Sequence, residues 1–197
     1  MTTEKVKRKL TAILSADVKG YSRLMGMDEV GTIRILQTYR GVISDLIQKK
    51  GGRVVDSPGD NVLAEFASVV DALESAVEIQ RELKVRNADR SEGRRMEFRI
   101  GINLGDVVEE GERIYGDGVN IAARIEGLAE GGGICISGTA FDHIGKRLPL
   151  GYEYMGEQEV KNIEKPVRVY GFSWNRNRPE RLLGRRDQGE SNGVGLL

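Results

Sequence analysis

The pattern of apolar and polar positions along the chain predicts alternating strands and helices. An apolar run at residues 10–18 predicts a strand that is buried on both faces. After a tight turn at 19–22, apolar residues recur at helical spacing, which predicts one long helix over 22–50. Glycines at 51–52 are expected to end that helix.

The segments that follow predict a hairpin and then further helices and strands. Residues 53–56 and 61–66 have strand character, and Pro58-Gly59 is expected to fill the two central positions of a β-turn between them. The later predicted elements are a helix at 69–83, a loop at 86–95, a strand at 97–108, a Gly-rich turn region at 111–118, a helix at 119–129, a strand at 133–137, and an antiparallel pair at 152–160 and 167–172.

This order of elements predicts the fold class. It is β-α-β-β-α-β followed by further elements, which favours an α+β fold with a ferredoxin-like βαββαβ core and extra C-terminal strands and a helix. In such a core, we expect one sheet with its helices on one face. Residues 1–173 are expected to form one domain, and the polar segment 174–197 a disordered or linker-like tail.

Composition excludes several classes of protein. The 197 residues carry 30 basic and 30 acidic side chains, so no long-range charge favours binding to nucleic acid or an anionic membrane. Cys135 lies in an apolar run, which predicts a buried thiol in a reducing compartment, and one Cys with one His argues against a zinc site. No apolar stretch approaches the ~20 residues that span a bilayer, and no signal core follows the N-terminus, which predicts a cytoplasmic protein.

Two aspartates are candidate metal ligands. Asp17 ends the first predicted strand, Asp60 lies in the hairpin turn, and those strands are expected to be sheet neighbours. Two carboxylates at adjacent strand ends suit Mg²⁺ or Mn²⁺, and a pair of such ions about 4 Å apart commonly assists attack on phosphorus. From spacing alone, a helix-capping Asp17 and a turn-forming Asp60 are the simpler alternative.

Two further features have the chemistry to contact a nucleotide. The turn at Gly20, Tyr21 and Ser22 precedes a helix and can present free backbone N–H groups to phosphate oxygens. Asn120 and Arg124 lie at i and i+4, so they share a helix face that the apolar residues do not occupy. An amide can orient a ribose, and a guanidinium can stabilise phosphate charge, although each feature alone also occurs on ordinary surfaces.

Taken together, the motifs resemble the catalytic domain of class III adenylate and guanylate cyclases. Ala12–Ser22 is similar to the family's first metal motif, Gly51–Phe66 to its second metal hairpin, and Ile114–Glu126 to its segment with the ribose-orienting Asn and the transition-state Arg. Phe98–Gly105 and the closing segment at 160–172 also resemble the family. The similarity runs in order from about Arg8 to Phe172.

The resemblance implies a metal-dependent cyclase. Asp17, Asp60 and the backbone carbonyl of Val18 would hold two Mg²⁺ or Mn²⁺ ions, and the turn at 20–22 would receive the terminal phosphates. The 3′-hydroxyl of a purine nucleoside triphosphate would attack the α-phosphate in line, and pyrophosphate would leave.

The resemblance also implies a homodimer with shared active sites. Asn120 and Arg124 would come from the other protomer, so that neither site is complete in one chain. Lys161 would meet the phosphates, with Lys165 as a competing candidate for the same position.

Two base-reading positions depart from the family pattern. Asp56 stands four positions before Asp60, where adenylate cyclases usually have Lys, and Arg113 stands seven before Asn120, where Asp or Thr is usual. We expect the two side chains to face each other. An acceptor and a donor can satisfy either purine. Guanylate cyclases of the family carry an acid at the Lys position, whereas most bacterial relatives make cyclic AMP, and on balance we expect ATP.

Other functions compete with cyclase activity. A catalytically weak, regulatory nucleotide-binding domain would bind the triphosphate without forming product. An RNA-binding module would need exposed aromatic residues interleaved with basic residues on its strands, and the strands at 62–66 and 98–105 lack that pattern. A diguanylate cyclase is disfavoured because its Gly-Gly-Asp/Glu-Glu-Phe signature does not occur.

Overall fold

The fold is built around one mixed β-sheet. The computed structural model describes residues 7–145, 147–148 and 150–173. Their elements, in chain order, are β1 (Lys7–Val18), α1 (Tyr21–Met27), α2 (Glu29–Lys49), β2 (Arg53–Asp56), β3 (Val62–Phe66), α3 (Val69–Arg86), β4 (Phe98–Glu110), β5 (Arg113–Tyr115), α4 (Asp117–Glu126), β6 (Gly133–Ser137), α5 (Gly138–Ile144), β7 (Glu153–Gln158) and β8 (Val167–Ser173).

The sheet order confirms the predicted α+β fold with a ferredoxin-like core. The strands run β2-β3-β1-β4-β6-β8-β7, and β5 pairs with β4 off this path. β1 is antiparallel to both β3 and β4, whereas β4 and β6 are parallel. The arrangement places the end of β1 beside the β2–β3 hairpin, which is where the candidate metal ligands lie.

Helices cover both faces of the sheet, so the expectation that they lie on one face is wrong. Leu14 of β1 packs in the core with α1, α2, α3 and α5, whereas its neighbour Ile13 packs with Ala122 of α4. Adjacent residues of a strand point to opposite faces, so α4 covers the face that those four helices leave open. Helical periodicity shows which side of a helix is apolar, but not which sheet face receives it.

The long helix predicted over 22–50 is two helices. Asp28 lies between them in an extended conformation, and its Oδ1 accepts the Gly31 N–H at 2.9 Å, so that it caps the start of α2. The apolar spacing continues across this junction, with Leu24 and Leu36 both buried. Periodicity alone therefore misses the break.

The hairpin turn lies one position later than predicted. The Asn61 N–H donates to the Pro58 carbonyl at 2.9 Å, so the central residues of this turn are Gly59 and Asp60. Gly59 has φ +58°, a left-handed conformation that glycine adopts without steric cost. Asp60 consequently sits at the tip of the turn.

Other boundaries shift by a few residues. β5 and the first turn of α4 occupy the predicted turn region at 111–118, and Glu92–Arg94 forms a short 3-10 turn in the predicted loop. Ser137 caps α5 by accepting the Ala140 N–H at 3.3 Å. The predicted tail at 174–197 falls outside the described residues.

The buried cysteine behaves as the sequence predicts. Cys135 of β6 is 2% exposed, and burial raises the pKa of its thiol to about 11, which keeps the thiol protonated. None of the described helices combines the length and apolar character needed to cross a membrane.

Candidate active site

The two predicted metal ligands come together at the end of β1. Asp17 is the next-to-last residue of that strand, and Asp60 Oδ2 accepts the Val18 backbone N–H at 3.2 Å. The β1–β3 register pairs Ala16 with Val62, which brings the hairpin turn alongside the strand end. Asp17, Val18 and Asp60 therefore share one corner of the sheet, while their role as metal ligands stays a prediction.

Arg99 of β4 is the cationic partner of Asp17, and sequence reasoning missed it. The antiparallel register places Arg99 opposite Asp17. Its Nε donates to Asp17 Oδ1 at 2.9 Å and its Nη2 to Oδ2 at 2.6 Å, a two-bond fork that raises the pKa of Arg99 and fixes the plane of the carboxylate. The available signal is a basic residue within the otherwise apolar run at 98–102.

A third carboxyl group, Glu126 at the end of α4, belongs to the same network. It is 4% exposed, and its Oε2 accepts the Ser15 hydroxyl at 2.8 Å and the Asn61 amide at 3.3 Å. Burial, followed by the nearby charge of Asp17, raises the pKa of Glu126 to about 8, although the Ser15 hydrogen bond opposes the shift. Glu126 therefore mostly keeps its proton at neutral pH.

Arg99 ties this network to α4. Its Nη2 lies 4.0 Å from Glu126 Oε1, and its Nη1 donates to the Gly127 carbonyl at 3.3 Å. Sequence reasoning assigned Glu126 no role, because a Glu near a helix end usually faces solvent. The only sequence signal is that Glu126 lies one position after the buried Ile125, on the inner side of an amphipathic helix.

The candidate phosphate turn opens α1. Gly20 has φ +70° and ψ +31°, and its carbonyl accepts the Leu24 N–H at 3.2 Å. The first N–H groups of a helix have no acceptor within the helix, so those of Tyr21 and Ser22 are open to a ligand. No other described residue accepts them. Phosphate binding at this turn stays a prediction.

Asn120 and Arg124 lie on the exposed side of α4, as their spacing predicts. Ile125 is fully buried on the inner side of the same helix. Among the described residues, neither the amide nor the guanidinium has a hydrogen bond or ion pair. The described contacts of Asp17 and Asp60 do not include either side chain.

The two base-reading candidates face each other across β2 and β5. Arg113 Nε lies 4.0 Å from Asp56 Oδ2, and the side chains are 63% and 39% exposed. Lys161 and Lys165 are exposed in the loop between β7 and β8, and the described contacts of the two aspartates include neither. Asp56 and Arg113 thus face each other as predicted, and the roles of these residues stay predictions.

The donors at the corner of the sheet fit a hard divalent cation. The described residues contain no cluster of three or more His, Cys, Asp or Glu side chains of the kind that alone encloses a metal. Asp17 and Asp60 supply carboxylate oxygens, which suit Mg²⁺ or Mn²⁺ and not a soft metal. Mg²⁺ in particular is usually bound by one or two carboxylates together with substrate phosphates.

Comparison with known proteins identifies the family. The family model described as Adenylate and Guanylate cyclase catalytic domain matches residues 4–173. A putative adenylate cyclase 3 from Rhizobium meliloti (strain 1021) is 42% identical over 174 residues, which are 88% of this chain and 30% of that protein. The chain thus spans less than a third of that relative's length.

Solved structures agree with this assignment. The crystal structure of an adenylate/guanylate cyclase/hydrolase from Silicibacter pomeroyi has a TM-score of 0.81 at 40% identity, and the match covers 86% of this chain and 99% of that one. The crystal structure of the guanylyl cyclase Cya2 has a TM-score of 0.73 at 27% identity, with 87% and 97% covered. The chain therefore belongs to the class III adenylate and guanylate cyclase catalytic-domain family.

Proposed function

We propose that this chain converts ATP to 3′,5′-cyclic AMP and pyrophosphate at active sites shared between two protomers of a homodimer. One observation carries the proposal. Asp17 and Asp60 converge at the end of β1, whereas Asn120 and Arg124 are exposed on α4 with no partner among the described residues. We call Asp17 and Asp60 the acidic half of the site, and Asn120 and Arg124 the open half. A head-to-tail dimer would bring the open half of each chain to the acidic half of the other, which gives two sites.

The acidic half of the site would hold the metal ions. Asp17, Asp60 and the carbonyl of Val18 are the ligands that one chain offers to two Mg²⁺ or Mn²⁺ ions. When bound, such ions lower the pKa of the 3′-hydroxyl and offset charge that develops at the α-phosphate. The fork from Arg99 keeps the Asp17 carboxylate in one orientation.

The open half of the site would act on the nucleotide. The Asn120 amide orients the ribose, and the Arg124 guanidinium donates to α-phosphate oxygens on which charge develops in the transition state. As the bond from the 3′-oxygen to the α-phosphorus forms, the bond to the bridging oxygen breaks, and pyrophosphate leaves with that electron pair. The hydroxyl proton passes to solvent or to the leaving pyrophosphate.

The terminal phosphates would be held by backbone and lysine donors. The open N–H groups of Tyr21 and Ser22, presented by the left-handed Gly20, point a partial positive charge toward an anion. Lys161 would add a full charge. These contacts hold the pyrophosphate end of the substrate while the α-phosphate reacts.

The name of the Rhizobium meliloti relative supports ATP as the substrate. GTP is the second candidate, since Asp56 is an acid where guanylate cyclases of the family carry Glu, and since Cya2 is a guanylyl cyclase. Arg113 can donate to O6 and N7 of guanine or to N1 and N7 of adenine. The ratio of kcat/KM for ATP and GTP, measured with either metal, decides between them.

The first test is turnover by the purified chain. With saturating ATP and Mn²⁺ or Mg²⁺, we expect cyclic AMP to form, and we expect Arg124→Ala to lower kcat by ~10²-fold or more, because it removes a transition-state contact. Arg34→Ala, which removes an exposed arginine of α2, is the matched control and should keep full activity. Triphosphate binding without any cyclic product would instead support a regulatory domain.

The shared site is tested by complementation. Asp17→Ala and Arg124→Ala chains should each have little activity, but a heterodimer of the two would keep one intact site. A 1:1 mixture that re-equilibrates should therefore recover about a quarter of wild-type activity. A mixture of Asp17→Ala with Asp60→Ala should recover none, since both changes damage the same half. No recovery in the first mixture would rule out the shared site.

A further inference from the structure

A single guanidinium of α2 holds the backbone of the turn that carries Asp60. Arg40 Nη2 donates to the carbonyls of Ser57 and Asn61, each at 3.0 Å, and also to the carbonyl of Gly59. The two N–H bonds of this nitrogen are thus shared among three carbonyl oxygens that converge on one cation. Arg40 lies on a different element from the turn, so these hydrogen bonds are tertiary contacts.

The three carbonyls surround Asp60 in the sequence. The Gly59 carbonyl belongs to the peptide bond between Gly59 and Asp60, and the Asn61 carbonyl belongs to the residue that follows Asp60. On its other side, the Asp60 carboxylate accepts the Val18 N–H at 3.2 Å. The backbone of Asp60 is therefore fixed by Arg40, and its side chain is fixed by β1.

The charge of Arg40 explains why the turn keeps this shape. Three carbonyl dipoles that point toward one place repel one another unless a cation or donor lies between them. Gly59 at φ +58° has no side chain to restrict its backbone. Without the guanidinium, the Asn61 N–H to Pro58 carbonyl bond would still close the turn, but the peptide units on either side of Asp60 would be less restrained, and the Asp60 carboxylate would be held less firmly in one orientation.

We propose that Arg40 is a positioning residue for the metal site, which sets the orientation of the Asp60 carboxylate by holding the carbonyls of Ser57, Gly59 and Asn61. The inference rests on the proposed function, because it takes Asp60 as a metal ligand. Arg40 itself touches neither metal nor nucleotide. It acts through the backbone of the turn, in the way that outer hydrogen bonds orient metal ligands elsewhere.

The test is metal affinity in the absence of turnover. Mn²⁺ is titrated into the full, metal-free chain, with and without 3′-deoxy-ATP, which lacks the attacking hydroxyl, and free Mn²⁺ is read by electron paramagnetic resonance. Arg40→Met keeps the aliphatic stem and removes the donors. We expect it to weaken Mn²⁺ binding about 10–100-fold, the usual effect of losing an outer partner of a metal ligand.

Two variants separate positioning from general stability. Arg40→Lys keeps the charge and supplies three donors, so it should lose less affinity than Arg40→Met. Arg34→Met removes an exposed arginine of the same helix whose side chain has no hydrogen bond or ion pair among the described residues, and it should bind Mn²⁺ as the wild type does. Circular dichroism at the assay temperature verifies that every variant is folded.

A double-mutant cycle decides whether Arg40 acts through Asp60. On an Asp60→Asn background, Arg40→Met should cause no further loss of Mn²⁺ affinity. An equal loss on both backgrounds, an unchanged affinity in folded Arg40→Met, or no Mn²⁺ binding by the wild type would each overturn the inference. Wild-type chain that binds Mn²⁺ through Asp60 and Arg40 but forms no cyclic nucleotide would overturn the proposed function alone.

Discussion

Two charged clusters lie on the same face of the sheet, near opposite ends of β1. The proximal cluster consists of Asp17, Asp60, Arg99 and Glu126. The distal cluster consists of Lys7, Lys9, Arg53, Glu65 and Glu109. Alternate residues of a strand point to the same face, so Lys9 and Asp17 share one face of β1. They are about 26 Å apart along the strand, at ~3.3 Å per residue. Helix α4 packs between the clusters, over Ile13.

The distal cluster satisfies its own charges. Lys9 Nζ lies 3.0 Å from Glu65 Oε2 and 2.7 Å from Glu109 Oε1, and Arg53 Nη2 lies 2.6 Å from Glu65 Oε1. Lys7 adds a further contact to Glu109 at 3.1 Å. Each carboxylate thus has at least two cationic partners. Such a network joins the strands to one another, and its three cations outnumber its two carboxylates.

The proximal cluster has the opposite balance, with three carboxyl groups and Arg99 as the single cation within it. Adjacent carboxylates cannot all stay ionised unless a proton or a cation compensates them. Glu126 keeps a proton, and divalent ions would compensate Asp17 and Asp60. The two clusters thus differ in their balance of acid to base, and the predicted metal ligands lie in the cluster that has the excess of acid.

The largest expected effect comes from neutralising one proximal acid. Asp60→Asn keeps an oxygen that can accept the Val18 N–H, so the turn should retain its shape. We expect kcat for cyclic nucleotide formation to fall at least about 100-fold, while Tm stays near the wild-type value. Asp45→Asn, an exposed site on α2, is the control. Full activity of Asp60→Asn would remove the basis for calling the proximal cluster a metal site.

Neutralising an acid of the distal cluster should lower stability and leave turnover unchanged. Glu65 is 7% exposed, and Glu65→Gln leaves Lys9 and Arg53 with one carboxylate fewer. We expect the free energy of unfolding to fall by about 1–3 kcal/mol, less than for a fully buried pair because both cations are partly exposed. Urea unfolding measures this change. The folded variant should keep wild-type turnover per site, and a large loss of turnover would show that the clusters are not separate in function.

A smaller effect is expected in the pH dependence of stability, and it comes from Glu126 of the proximal cluster. The folded chain holds a proton on Glu126 up to about pH 8, whereas an unfolded Glu releases it near its ordinary pKa of 4.5. The folded state therefore binds more protons in this interval, and stability falls as pH rises through it. Removing the carboxyl as Glu126→Gln should flatten that fall in metal-free protein.

Thermal unfolding in EDTA across pH 5 to 9 provides the measurement for Glu126. The Tm of Glu126→Gln relative to wild type should rise by a few degrees toward high pH. Glu110→Gln, on an exposed carboxyl of β4, should give a curve parallel to that of the wild type. A parallel curve for Glu126→Gln would mean that Glu126 titrates as an ordinary carboxyl.

The same contrast explains which features could be predicted from the sequence and which could not. The fold class, the hairpin and the exposed pair on α4 follow from local patterns, since periodicity, turn residues and i,i+4 spacing act over a few positions. Arg99 opposite Asp17 depends on the β1–β4 register, which joins residues far apart in the chain. Glu126 depends on which sheet face receives α4. Neither fact is encoded in a short window of sequence.

Arg40 shows the same limit from another direction. Its hydrogen bonds depend on where α2 passes the hairpin turn. The helical spacing of apolar residues gives no sign of these bonds, because Arg40 is a polar residue at a half-buried position. The break at Asp28 begins α2, the helix that carries Arg40, and periodicity did not predict that break. Residues that orient a ligand through another element are therefore the hardest to predict from sequence.

The smallest expected effect is at the edge of the distal cluster. The side chain of Lys7 is 73% exposed, and its partner Glu109 is also paired with Lys9 through the other carboxylate oxygen. Exposed ion pairs contribute little and are screened by salt. Lys7→Met should therefore leave Tm and turnover within experimental scatter at physiological salt. A clear loss of stability that added salt removes would show that the distal cluster needs all three of its cations, and that its charges are less redundant than the distances indicate.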